Sequence, residues 1–199
     1  MLGANEVMRE FQAGDYSPAI AELLLEKRLA PLGPGTPNQM ARTKLAALDV
    51  EAAFADQRLQ DKDMARACLA GLWLYHDFLD ESHEISQEID TTTGCYWHGL
   101  MHRREPDYGN SGYWFRRVGK HPVFAELVGE AARIARAGPA GPRAAFLTQQ
   151  TSWDPFAFNN LCEEMAGSES AGETLCRRIQ QREWEILFDF CYRQATSLS

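Results

Sequence analysis

The sequence predicts an all-α fold of about eight helices in antiparallel hairpins around one central apolar helix over 62–88. Three observations carry this. Helix start signals recur along the chain, and no stretch alternates apolar and polar residues as a half-buried strand would. The run Ala67–Leu79 is apolar on nearly every side, with Cys68, Leu69, Leu72, Trp73, Leu74, Tyr75, Phe78 and Leu79. A helix apolar all round is one that others surround.

In chain order, Val7–Gln12 reads as a short helix stopped near Gly14. Ser17-Pro18 is a cap followed by proline at the first helical position, and opens a helix to Arg28 with Ile20, Leu23 and Leu24 on one face. Pro31, Gly33, Pro34, Gly35 and Pro37 form a loop that no helix crosses. Thr36-Pro37-Asn38-Gln39 starts a helix to Asp56, and Asp61 caps the central one. Thr91-Thr92-Thr93-Gly94 interrupts the pattern. Thr93 then caps a helix ending at Glu105, ahead of Pro106. Asn110 or Ser111 caps a helix to Val118, and His121-Pro122 opens one to Ala137. Asp154-Pro155 begins a helix to Ala166. Ser170 and Glu173 form a capping box for the last one, to Ala195. The chain reads as one domain over 1–199, with the Gly/Pro segment 138–142 as a linker that sets off a C-terminal hairpin over 150–199.

Composition narrows the class. With 45% hydrophobic and 24% charged residues the chain is of globular type. A net charge of −8 argues against nucleic-acid or acidic-membrane partners. The five cysteines have no CxxC spacing and read as reduced thiols. No signal-peptide pattern and no membrane-spanning apolar run occur, so the expected setting is soluble and cytoplasmic. Oligomeric state is not legible.

Four of the five histidines fall between His76 and Arg117. On a continuous helix His76, Asp80, His83 and Gln87 share one face. In the next helix His98, His102 and Glu105 do the same. Three readings compete. Under the first, His83, His98 and His102, with Asp80 or Glu105, bind a divalent metal ion, because imidazoles one helical turn apart can reach a common ion. Under the second, the seam holds a small anionic molecule. Residues 98–121 carry five basic and two acidic groups among Tyr96, Trp97, Tyr113, Trp114 and Phe115. Arg104 and Arg117 would then grip the anion, Trp97, Tyr113 and Trp114 would line it, and His98, His102 and Glu105 would supply acid–base or hydrolytic chemistry. Under the third, the protein is a non-enzymatic helical interaction protein. Its basic segment then pairs structurally with the acidic groups of 76–90. Cys95, in a first helical turn three residues before His98, is a lesser nucleophile candidate.

The run from Tyr96-Trp97-His98 through His102-Arg103-Arg104-Glu105 and Tyr113-Trp114-Phe115-Arg116-Arg117 to His121-Pro122, with Ser82–Gln87 and Trp153–Phe156, resembles the signature of a family of uncharacterised proteins. The resemblance spans about 76–190 and implies no activity, cofactor or catalytic residue. The leading expectation is anion binding in a His/Arg/Glu pocket; the alternatives are a metal-dependent enzyme and an interaction protein.

Overall fold

Short polar side chains set where the helices begin. The computed structural model describes residues 10–138 and 141–196. Within them the fold is all-helical, and the one strand-like feature is an isolated antiparallel bridge between Leu59 and Thr196. Helix α1 spans Pro18–Leu24, with the Ser17 hydroxyl accepting from the Ile20 N–H. Asn38 caps α2, Gln39–Ala46, and Asp49 caps α3, Val50–Ala53. The single helix expected from 38 to 56 is therefore two, because the Asp49 side chain takes the Ala52 N–H and starts a new turn. Of the helix expected over Val7–Gln12, residues 7–9 lie outside the described residues and Glu10–Gln12 are not helical; a 3-10 turn follows at Ala13–Asp15.

Asp61 caps α4, Lys62–Tyr75, by accepting from the Asp63 and Met64 N–H groups. The apolar pattern continues to Leu79, but the helix does not. It breaks at His76–Phe78, and α5 runs separately over Leu79–Ser86. Asp77 sits at φ +64°, a conformation no helix interior contains. Two buried side chains hold it there. The Asp77 carboxylate accepts from Arg28 at 2.7 Å and from Arg104, and the Arg104 guanidinium also donates to the Gly33 and Pro34 carbonyls. His76 donates from Nε2 to the Leu23 carbonyl and accepts the Asn38 amide at Nδ1. The break thus ties α1, the Gly/Pro loop and α2 to the core.

Helix α6 covers Thr92–Arg104, capped by Thr91 in place of the expected Thr93. Gly94 lies so close to the end of α5 that a Cβ there would sit 2.1 Å from the Ile89 carbonyl oxygen, which makes the short α5–α6 turn possible. Helix α7 is Tyr108–Val118, α8 Phe124–Ala137, α9 Pro155–Met165 and α10 Ala171–Ala195. Asp107 caps α7, displacing Asn110 and Ser111 from that role. A 3-10 helix over Pro142–Thr148, absent from the sequence reading, precedes α9.

Two helices occupy the middle. Helix α4 packs on α5, α6 and α10, as its apolar circumference predicts. Helix α6 is equally enclosed, and every residue from Thr93 to Arg104 is buried, charges included. Trp97 crosses to Gly71 on α4, where a Cβ would fall 2.8 Å from its ring, and its indole N–H points at the Cys191 sulfur. The segment beyond the Gly/Pro linker does not stand apart as a hairpin. Trp184 of α10 donates to the Gly71 carbonyl and stacks on Phe188, and Leu187 and Cys191 are fully buried.

The buried charges of α6 are matched one by one. Arg103 is entirely enclosed between the Phe115 and Phe158 rings and pairs with the equally enclosed Glu183, which also accepts from Tyr96 at 2.8 Å. His121 is buried against Tyr96, Phe124 and Phe190. Its Nδ1 accepts the Val123 N–H, so Nε2 carries the proton donated to Thr93. Burial lowers its pKa to about 4. The unfolded chain therefore takes up this proton below the ordinary value near 6.5, while the folded state resists until about 4. Stability should fall as pH drops through that window, by about 3 kcal/mol for this group alone. His121→Asn, which keeps an acceptor for Val123 and does not titrate, should flatten the slope of urea-unfolding free energy between pH 6.5 and 4. An unchanged slope would show that His121 stays accessible to protons in the fold.

Candidate metal centre

Three imidazoles converge where α5, α6 and α7 meet. His98 and His102 lie one turn apart on α6, and the tight turn at Gly94 folds α5 back so that His83 faces them. The ring centres are 4.5 Å apart for His83 and His98, 4.8 Å for His98 and His102, and 5.3 Å for His83 and His102. One nitrogen from each ring can be chosen so that all three lie within 4.8 Å of one another. His98 and His102 are buried and His83 is half-buried.

The rings differ in how they are held. His102 Nδ1 is 2.8 Å from Glu105 Oε2. A carboxylate can only accept, so Nδ1 carries the proton and Nε2 offers its lone pair. That lone pair faces the Asn110 amide nitrogen at 3.1 Å. His98 is stacked on Trp114, with ring centres 3.9 Å apart, and its Nδ1 is buried with no hydrogen-bond partner. Burial first, then the neighbouring His102 and His83, push its pKa down to about 3. Burial also lowers that of His102, against the opposing pull of Glu105. Both rings are neutral at pH 7, the form in which imidazole binds a metal.

The contrast with the other two histidines is informative. His76 and His121 have partners at both ring nitrogens. His98 has none at Nδ1.

Several residues expected at the site are elsewhere. His76 faces Leu23 and Asn38, because the break at Asp77 shifts the helical phase on which it was aligned with His83. Asp80 is exposed and lines a surface groove of about 370 Å³ with Pro34, Arg42 and Glu81. Its carboxylate does not join the three imidazoles. Arg104 is not free to grip an anion, since Asp77 and two loop carbonyls use its guanidinium. Trp97 is completely buried in the core. Glu105, placed with His98 and His102 by spacing, does reach His102.

Helix α7 supplies the outer wall. Asn110, Trp114 and Arg117 lie on one stripe at i, i+4 and i+7, running antiparallel to His102, His98 and Cys95 on α6. Asn110 meets His102, Trp114 meets His98, and the Arg117 guanidinium lies over Trp114, 5.2 Å from its ring centre. Tyr113, exposed, stands edge-on to Trp114 at 5.4 Å. Asn110 escaped the sequence reading, which treated it as a helix cap, although its spacing from Trp114 carried the signal.

No protein-family model, curated protein or solved structure matches this chain. No helix among the described residues is long and apolar enough to cross a membrane.

Proposed function

We propose that this chain is a helical metal-binding protein in which His83, His98 and His102 hold one divalent ion. The observation that carries the reading is the convergence of three ring nitrogens within 4.8 Å, one ring having a buried nitrogen with no partner. All-imidazole donors suit zinc, copper, iron or nickel better than magnesium or calcium, which take oxygen ligands. A tetrahedral ion with Zn–N bonds of about 2.0–2.1 Å holds its nitrogens roughly 3.3 Å apart. Small rotations of the rings would bring the trio to that spacing. Glu105 fixes the His102 proton on Nδ1 and leaves the Nε2 lone pair to bind an ion, an arrangement in which an outer carboxylate orients a metal-binding imidazole. Asn110, which now meets that lone pair, would turn its amide aside.

Three protein ligands leave a fourth position for a water or substrate oxygen, and an ion there acidifies bound water and polarises the oxygen it holds. Hydrolytic chemistry is the class this fits. The chain's own residues would orient the ligands through Glu105 and shield one face of His98 with Trp114.

Chelator-stripped, untagged protein titrated with zinc should bind one ion per chain. His98→Ala and His83→Ala should each weaken binding about 100-fold or more. His76→Ala, outside the trio, serves as the histidine control and should retain the zinc stoichiometry. No zinc uptake at micromolar concentration, or uptake indifferent to both trio variants, would overturn the proposal.

A further inference from the structure

The metal reading leaves open what the fourth position receives, and α7 bears on it. Arg117 Cζ lies 5.2 Å from the Trp114 ring centre, and that ring is 3.9 Å from His98, so the guanidinium is at most about 9 Å from the imidazole. Of the site's candidate arginines, Arg117 is the one still able to bind. Arg104 is committed to Asp77, and its neighbour Arg103 to Glu183. The ion pair of Arg117 is a 3.4 Å contact with Asp90, whose side chain is 95% exposed. Water competes strongly for such a pair. The Arg117 side chain is itself 46% exposed.

We infer that the centre takes a small oxyanion, with one oxygen at the open metal position and a second on the Arg117 guanidinium, across the edge of Trp114. This rests on the metal-binding reading above. The chemistry is complementary. A guanidinium fork binds two oxygens of a phosphate or carboxylate, and a divalent ion takes a third or shared one. In a chain of net charge −8, an anion needs such a local concentration of positive charge to be held at all. The two cationic centres are fixed on different helices, α6 with α5 for the ion and α7 for the arginine. The antiparallel α6–α7 pairing sets their separation. Tyr113 stands on the solvent side of Trp114, and Arg116 lies over it at 6.0 Å, so the bulk of a ligand beyond its oxyanion would meet an aromatic surface.

The test uses the full chain loaded with cobalt(II), whose visible spectrum responds to the ligand at the open position. Inorganic phosphate and acetate are titrated in separately. Saturable spectral change with either supports the inference, and the tighter of the two identifies the oxyanion. Arg117→Met, which keeps the aliphatic stem on Trp114, should weaken that anion about 10-fold or more while cobalt affinity stays within about 2-fold; Arg117→Lys should recover part of the loss. Arg116→Met is the control for bulk surface charge and should bind the anion within about 2-fold of wild type. The inference is overturned if neither anion changes the spectrum, if Arg117→Met binds like wild type, or if Arg116→Met loses as much. Failure to bind cobalt at all would instead remove the metal reading itself, and this inference with it.

Discussion

Glu183→Ala is expected to lower the unfolding free energy by about 3–5 kcal/mol, the cost of leaving a buried charge without its partner. The setting is unforgiving. Arg103 and Glu183 are both fully buried, and two aromatic rings exclude water from the guanidinium. Tyr96 would lose its acceptor as well. Arg103 Nη2 already lacks a hydrogen-bond partner, and without Glu183 the guanidinium would keep only the long 3.4 Å contact from Nε to Asn159 Oδ1. Replacing the whole network by apolar residues, in Arg103→Met/Glu183→Leu/Tyr96→Phe, should recover most of the loss, because no charge then needs a partner. Urea unfolding of the two variants measures both. A loss below about 1 kcal/mol for Glu183→Ala would mean that water reaches Arg103 in the folded state.

Asp77 should show the second large effect, with an ordering that separates charge from backbone. Asp77→Ala strands Arg104 in the core and puts an alanine at φ +64°, and should cost about 3–5 kcal/mol. Asp77→Gly loses the same charge but relieves the backbone, and should be milder by about 1–2 kcal/mol. Asp77→Asn keeps an acceptor and tolerates the left-handed conformation, and should be the least damaging. Thermal or urea unfolding gives the order. Alanine and glycine of equal cost would show that the positive φ carries no penalty here.

These two residues also mark the boundary of what the sequence could tell. The caps were legible because they act through neighbours only a few residues away. Ser17, Asp61, Asp154 and Ser170 accept N–H groups two or three residues on, and all four helices begin where they stand. The convergence of His98 and His102 followed from one helical turn, and that of His83 from a short connection. The break at Asp77 was not legible. The apolar pattern runs on to Leu79 unbroken, and what bends the chain is Arg28, 49 residues earlier, and Arg104, 27 later. His76 was misplaced for the same reason, since a wheel drawn through a break carries the wrong phase beyond it; Asp80 does share α5 with His83, but it lies in the exposed first turn of that helix and lines the surface groove beside Pro34 and Arg42. Arg104 and Trp97 were assigned to a ligand because composition shows which residues are sticky and not which have already been satisfied inside.

The same break has a mechanical consequence. Had 62–88 been one rod, His83 would move with the centre of the molecule. As built, it rides on an eight-residue helix joined to its neighbours by short turns at both ends. A helix that short has little cohesion of its own in water. Its opening is the kind of local fluctuation that amide exchange detects well below the global unfolding energy. Anything that grasps His83 together with His98 and His102 would act as a cross-link between α5 and α6. It would withdraw that local freedom without altering the rest of the fold. Binding would thus be recorded as a quieting of α5, in exchange rates, before it altered any shape.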